Sequence, residues 1–213
     1  MSNSGLFITL EGTEGCGKST QAKLLAEYLQ SLGHSVVLTR EPGGTELGSK
    51  IRTILLDKSN SIDNLAEILL FAADRAQHIS QTIKPALEKG QIVICDRYVD
   101  STTAYQSGGK GLDSKLIKAV NDISGASFLP ELTIVFEVDI ETGLKRATKG
   151  GADRFELEDL AFHSRVRDSY REIARQEPKR VKIININGQS IENVQRSVED
   201  VLKVLLNKRE SIK

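Results

Sequence analysis

Gly12, Gly17, Lys18 and Ser19 stand in the order Gly-x-x-x-x-Gly-Lys-Ser, with Gly15 between them. Residues of these types at this spacing can grip an anion. The glycines let the backbone turn tightly and aim its N–H groups at one point. A helix that starts directly after such a turn adds unpaired N–H groups and a dipole that favour phosphate. Lys18 supplies a mobile positive charge for terminal phosphates, and the Ser19 hydroxyl is a hard oxygen suited to Mg²⁺. The chemistry needs a strand before the turn and a helix after it. Leu6, Phe7, Ile8 and Leu10 supply the apolar run, and Leu24, Leu25, Tyr28, Leu29 and Leu32 recur at helical spacing. That context distinguishes a P-loop from a chance glycine-rich turn.

Other candidates lie further along. Asp96 closes the apolar run Gln91–Cys95. An acid at a strand end can hold Mg²⁺ opposite Ser19, or it can simply cap a helix. Arg97 is a planar fork able to grip a second phosphate. Phe71 and Arg75 are four apart and so share a helical face. They could stack on a base and bond its carbonyl edge, or be a core Phe beside a solvated Arg. Ser101, Tyr105 and Gln106 follow Asp96-Arg97 closely. The Gln106 amide both donates and accepts and could read an imide edge. A base-reading Asn-Lys-x-Asp, expected of a GTPase switch, has its nearest match in Asn207–Glu210. That stretch belongs to a terminal helical pattern and ends in Glu, which disfavours a switch.

The elements that must position these groups alternate. Apolar runs at residues 6–12, 34–40, 91–95, 132–138 and 181–186 read as strands. Between them, helical patterns occupy 47–55, 65–79, 82–89, about 101–106, 113–123, 141–148, 157–177 and 191–205. Five near-continuous apolar strands alternating with helices predict an α/β three-layer sandwich, a five-stranded parallel sheet with helices on both faces. Ligands of such sheets sit beyond the carboxyl ends of the strands. This singles out the P-loop, Arg40-Glu41, Asp96-Arg97, Asp139 and Asn187-Gly188.

Length and charge set limits. The 213 residues predict one domain, 1–213, with a flexible lid segment at about 145–156. Twenty-nine Lys and Arg balance twenty-nine Asp and Glu, which gives no footprint for nucleic acid or an acidic membrane. The basic tail Lys208–Lys213 reads as a frayed helix end. Cys16 and Cys95 are isolated, and His34, His78 and His163 are scattered, so none shows metal-ligand spacing. The cysteines fit free thiols in a reducing cytosol. The N-terminus lacks a signal-peptide pattern, and the expected location is cytoplasmic.

From about Gly5 to Leu205 the chain resembles the thymidylate kinases, within the P-loop nucleoside monophosphate kinases. The resemblance rests on EGTEGCGKST (11–20), TREPGGT (39–45), FAADRAQHI (71–79), DRYVDSTTAYQ (96–106) and GGADRFE (150–156). It implies transfer of phosphate from ATP to dTMP with Mg²⁺. Gly12, Thr13, Glu14, Gly15, Cys16, Gly17, Lys18, Ser19 and Thr20 would bind ATP, and Ser19 and Asp96 the metal. Phe71 would stack on thymine, Arg75 bond its O4 edge and Gln106 its N3 edge. Tyr105 would crowd the sugar 2′ position and Glu14 would meet the 3′-hydroxyl. Arg97, with Arg52 or Arg40, would hold the dTMP phosphate in a pocket shaped by Glu41 and Ser101. The family also implies a homodimer.

The variable P-loop positions Thr13, Glu14, Gly15 and Cys16 include no base. The resemblance is therefore to the bacterial type, in which basic residues of the lid replace a P-loop arginine. Arg154 is the first candidate for that charge, with Lys149 and Arg146 behind it. Kinases for dUMP or dCMP, and a non-catalytic nucleotide-binding regulator, remain as alternative readings.

Overall fold

Leu6–Gly12 forms β1, buried along its whole length. It lies at the centre of a five-stranded sheet of order β2-β3-β1-β4-β5, where β2 is Val36–Arg40, β3 Ile92–Asp96, β4 Leu132–Glu137 and β5 Val181–Asn185. Every neighbouring pair is parallel. The computed structural model describes residues 5–125 and 128–210. Ser211–Lys213, the end of the basic tail, lie outside the described residues, as do the first four residues.

The helices are α1 (Lys18–Ser31), α2 (Glu46–Leu56), α3 (Asn64–His78), α4 (Lys84–Glu88), α5 (Val99–Thr102), α6 (Ser114–Ile123), α7 (Ile140–Ala147), α8 (Leu160–Gln176) and α9 (Ile191–Glu210). Side chains of a strand alternate between faces. Leu6, Ile8 and Leu10 pack with Leu25 and Leu29 of α1 and Val198 and Leu202 of α9. On the opposite face, Phe7 joins Val93, Ile83 and Tyr98. Phe162, Val166 and Tyr170 of α8 cover Val135 and Val181 there. The three-layer α/β architecture expected from the sequence is present. The edge strands are less buried than their apolar runs suggest, with Leu38 of β2 44% exposed.

Side-chain caps start several helices. Thr45 accepts from Gly48 N, Asp63 from Leu65 N, Asp113 from Lys115 N and Asp159 from Phe162 N. The strand-end Asp139 is also a cap, accepting from Thr142 N, and Asn187 Oδ1 accepts from Asp139 N at 2.8 Å. Neither Asp139 nor Asn187 lines the cleft described below.

Three element boundaries differ from those expected. The helices read at 65–79 and 82–89 are one continuous path, joined by a π-wound turn at Ile79–Ile83. Pro85 lacks an N–H and its ring crowds the preceding turn, which the wider winding accommodates. The helix expected to end before Ser107 continues, π-wound from Thr103 to Gly109. Leu157 precedes α8 and is 62% exposed, and the inward positions of its first turn are Phe162 and His163.

The most consequential difference concerns α3. Its apolar residues Leu65 and Leu69 are about half exposed, whereas Glu67, Asp74, Arg75 and His78 are buried. The helix turns its polar side inward, toward the carboxyl ends of β2 and β3.

Candidate active site

The P-loop sits where β1 meets α1, with Gly12, Gly15 and Gly17 all at positive φ. Lys18 folds back over the loop. Its Nζ donates to the carbonyls of Gly12 (3.1 Å) and Thr13 (2.8 Å) and lies 3.3 Å from Cys16 Sγ. Residues Glu14–Thr20 line an open cleft, whereas Gly12 and Thr13 are outside its lining. Gly15 has no room for a side chain, because a Cβ there would stand 1.9 Å from the Gly143 carbonyl of α7.

Ser19 Oγ donates to Asp96 Oδ2 at 2.6 Å, joining the first turn of α1 to the end of β3. Both residues line the cleft. Asp96 follows the apolar run of β3, and the parallel register with β1 sets it level with Leu10, two residues before Gly12.

Arg97 comes next and is the only non-glycine residue at positive φ (71°) among the described residues. Its Nη2 lies 2.7 Å from Glu14 Oε2, Nη1 donates to Gly12 O, and the guanidinium stacks over the Tyr105 ring at 4.9 Å. Tyr105 donates to the other Glu14 oxygen at 2.6 Å. Burial would raise the Glu14 carboxyl, but Arg97 and Lys18 outweigh it and hold Glu14 below its ordinary value.

Beneath this group stands Glu11, fully buried on β1. It accepts from Tyr98 N (2.7 Å), Ser101 Oγ (2.6 Å) and Tyr170 Oη (2.8 Å). Burial, with the neighbouring Asp100 charge, pushes its carboxyl up to about 7. In the sequence Glu11 stands only as the first residue of the EGTEGCGKST run. The available signal is the one charged residue in a fully buried strand.

The inward side of α3 supplies the far wall. Phe71 is half-buried, lines the cleft and tilts against Phe155 with ring centroids 6.1 Å apart. Arg75 is 2% exposed and not solvated. It donates to Glu41 Oε2 (2.9 Å), Asn121 Oδ1 (3.0 Å) and Thr102 Oγ1 (2.9 Å), and stacks over Tyr98. These bonds use three of its five N–H groups. Gln106 is equally buried, donates through Nε2 to Glu67 at 3.0 Å, and lines the same cleft.

Glu41 is clamped by Arg75 and by His78, whose Nδ1 lies 3.0 Å from Oε1. Asp74 accepts from Gly43 N. Burial and the Glu41 charge raise the Asp74 carboxyl to about 6. Neither His78 nor Asp74 was singled out from sequence. Arg52 lines the cleft and donates to Pro42 O, whereas Arg40 is exposed and outside the lining. Burial and the Arg40 charge lower the Arg52 pKa.

The 145–156 segment reaches the cleft through Ala147, Asp153, Phe155 and Glu156. Its basic residues are elsewhere. Lys149 and Arg146 are exposed. Arg154 donates to Leu55 O and stacks on Phe155, and its Nη2 is 2.6 Å from Glu67 Oε2. That last contact is an ion pair without hydrogen-bond alignment. The structure thus brings together Lys18, Ser19, Asp96, Arg97, Ser101, Tyr105, Gln106, Phe71, Arg75, Glu14, Glu41 and Arg52, and leaves Lys149 and Arg154 outside the cleft.

Known proteins resemble this chain in sequence and fold. The family model described as "Thymidylate kinase" matches residues 10–198. A thymidylate kinase of Nostoc sp. is 51% identical over 207 residues, covering 95% of this chain and 97% of the relative. One of Syntrophotalea carbinolica is 48% identical over 190 residues, 85% of this chain and 88% of the relative. The crystal structure of thymidylate kinase from Ehrlichia chaffeensis has a TM-score of 0.79 at 40% identity and covers 94% of this chain and 99% of its own. With matches that span nearly its whole length, the chain belongs to the thymidylate kinase family.

Proposed function

We infer that the chain transfers the γ-phosphoryl group of ATP to the phosphate of dTMP, giving ADP and dTDP, with the residue roles that follow. The supporting observation is one cleft that runs from the P-loop past Arg97 to Phe71, Arg75 and Gln106. A nucleotide triphosphate on the P-loop and a pyrimidine monophosphate against Phe71 then meet phosphate to phosphate beside Arg97.

A phosphate monoester is a nucleophile without a protein base, since its second pKa is about 6. An oxygen of dTMP attacks Pγ in line, the bond from Pγ to the β-bridging oxygen breaks, and ADP leaves. The protein contributes alignment and positive charge. Lys18 swings from its carbonyl partners onto the ATP phosphates. Arg97 and Arg52 hold the dTMP phosphate. Arg75 offers its unspent N–H groups to O4, Gln106 meets N3, and Phe71 stacks on the ring. Tyr105 walls the sugar, and Glu14 meets its 3′-hydroxyl.

Ser19 and Asp96 present a hydroxyl and a carboxylate 2.6 Å apart in the cleft, a hard-oxygen pair that fits Mg²⁺. The ion would neutralise charge on the ATP phosphates. Arg154 and Lys149 complete the site when the 145–156 segment closes as a lid of the single domain. Buried free Cys16 and Cys95 support a cytoplasmic setting. The outward leucines of α3, together with Leu116 and Ile123 of α6, support a homodimer.

The test is an ADP-release assay with ATP against dTMP, dUMP, dCMP and the purine monophosphates. dTMP is expected to give the highest kcat/KM. A preference for a cytosine or purine acceptor would overturn the roles of Arg75 and Gln106.

A further inference from the structure

The amide of Gln106 could face a ligand with either end, because its oxygen and nitrogen occupy nearly equal space. What stands behind it decides. Glu67 of α3 is 0% exposed and offers only acceptor oxygens. Its Oε1 takes the Gln106 Nε2 hydrogen at 3.0 Å. Its Oε2 lies 2.8 Å from Lys110 Nζ and 2.6 Å from Arg154 Nη2. Turning the amide over would set Gln106 Oε1 against a carboxylate oxygen with no hydrogen between them, in a place closed to solvent. An unmade hydrogen bond there carries the full desolvation penalty of both groups. The Gln106 nitrogen is therefore committed to Glu67. Its Oε1 is left without a hydrogen-bond partner among the described residues, on a side chain that lines the cleft.

We propose that Glu67 is a positioning and specificity-determining residue: by fixing the Gln106 amide, it makes the base site select a ring nitrogen that carries a hydrogen over one that carries a lone pair. The inference rests on the assignment of Phe71, Arg75 and Gln106 to the base site. Thymine offers N3–H to an oxygen at this place. Cytosine offers a lone pair, which Oε1 repels. Arg75 reads the neighbouring ring position through its own partners Glu41, Asn121 and Thr102, independently of Glu67. Discrimination by Gln106 would be worth little if its amide could rotate, and Glu67 removes that freedom.

The experiment is calorimetric binding of dTMP and dCMP to the wild type, E67Q, Q106A and the double variant E67Q/Q106A. A glutamine at 67 can accept from or donate to Gln106, so the amide is released. The ratio of dTMP to dCMP affinity is expected to fall by about ten- to a hundredfold in E67Q. Q106A should lower it comparably, and the double variant should match Q106A within about twofold, because Glu67 acts only through Gln106. A loss of packing alone would weaken both nucleotides and leave their ratio unchanged. A ratio in E67Q within about twofold of the wild type overturns the proposal, as does a double variant well below Q106A. Where E67Q does not fold, E67Q with K110M removes one stranded cation and carries the same test. If Q106A leaves dTMP affinity unchanged, the base-site assignment itself fails. If Q106A weakens dTMP and E67Q leaves the ratio intact, only the role of Glu67 fails.

Discussion

Arg97 holds its guanidinium 2.7 Å from the Glu14 carboxylate while its own backbone stands at φ 71°, a region that side chains with a Cβ avoid. The proposed phosphate grip and backbone comfort therefore pull in opposite directions at one residue. R97G should unfold at higher urea than R97A, by roughly 0.5–1 kcal/mol, because glycine accepts this conformation without the steric cost. Both variants should lose about a hundredfold or more in kcat/KM for dTMP, since neither can grip a phosphate. Equilibrium unfolding and the ADP-release assay check the two halves separately.

The 2.6 Å contact between Ser19 and Asp96 predicts a shared dependence on Mg²⁺. S19A and D96N should each raise the Mg²⁺ concentration for half-maximal rate, or lower the rate at saturation, by about ten- to a hundredfold. Mg²⁺ titration of the initial rate decides it. Rates that follow the wild-type titration would remove both residues from the metal site.

Arg154 is tied to Glu67 and to the carbonyl of Leu55 at the end of α2. Its proposed work on the transferring phosphoryl group requires leaving these partners. R154A should therefore lower kcat much more than it raises KM for either nucleotide. Steady-state kinetics measure the split, and a kcat within about twofold of the wild type would dismiss Arg154 from the chemistry.

Glu11 makes stability depend on pH with a definite sign. Its carboxyl titrates near 7 in the folded chain, against an ordinary value of 4.5. Between these limits the folded state keeps a proton that the unfolded state has released. Unfolding then sheds protons, so this group costs stability as pH rises from about 4.5 to about 7, and the loss is complete above that. The full effect is on the order of 3 kcal/mol. The stability of E11Q relative to wild type should grow across this window and level off outside it, as followed by urea unfolding at stepped pH.

The alternation of five apolar strands with helices made the sheet and its parallel sense legible, because strands covered on both faces cannot hide their composition. The P-loop and Asp96-Arg97 were legible because their chemistry is local in sequence. Less visible were the residues that hold them. Glu67, Asp74 and His78 read as the polar side of an amphipathic helix, and such a side ordinarily faces water. Only tertiary placement shows that they face inward beside the buried Ile68, with Leu65 and Leu69 outward. Arg154 is a similar case. Its neighbours Glu67 and Leu55 are 87 and 99 positions away in the chain, beyond the reach of any local pattern.

The approach of Gly15 to Gly143 leaves no space for even a methyl group between the phosphate turn and the middle of α7. That helix is the stem from which residues 148–156 extend. With its waist set against the phosphate turn, α7 has no room to move toward that turn. A closing stroke of the proposed lid would then turn beyond Ala147, at the single 3-10 turn Thr148–Gly150 and Gly151, whose φ is 102°.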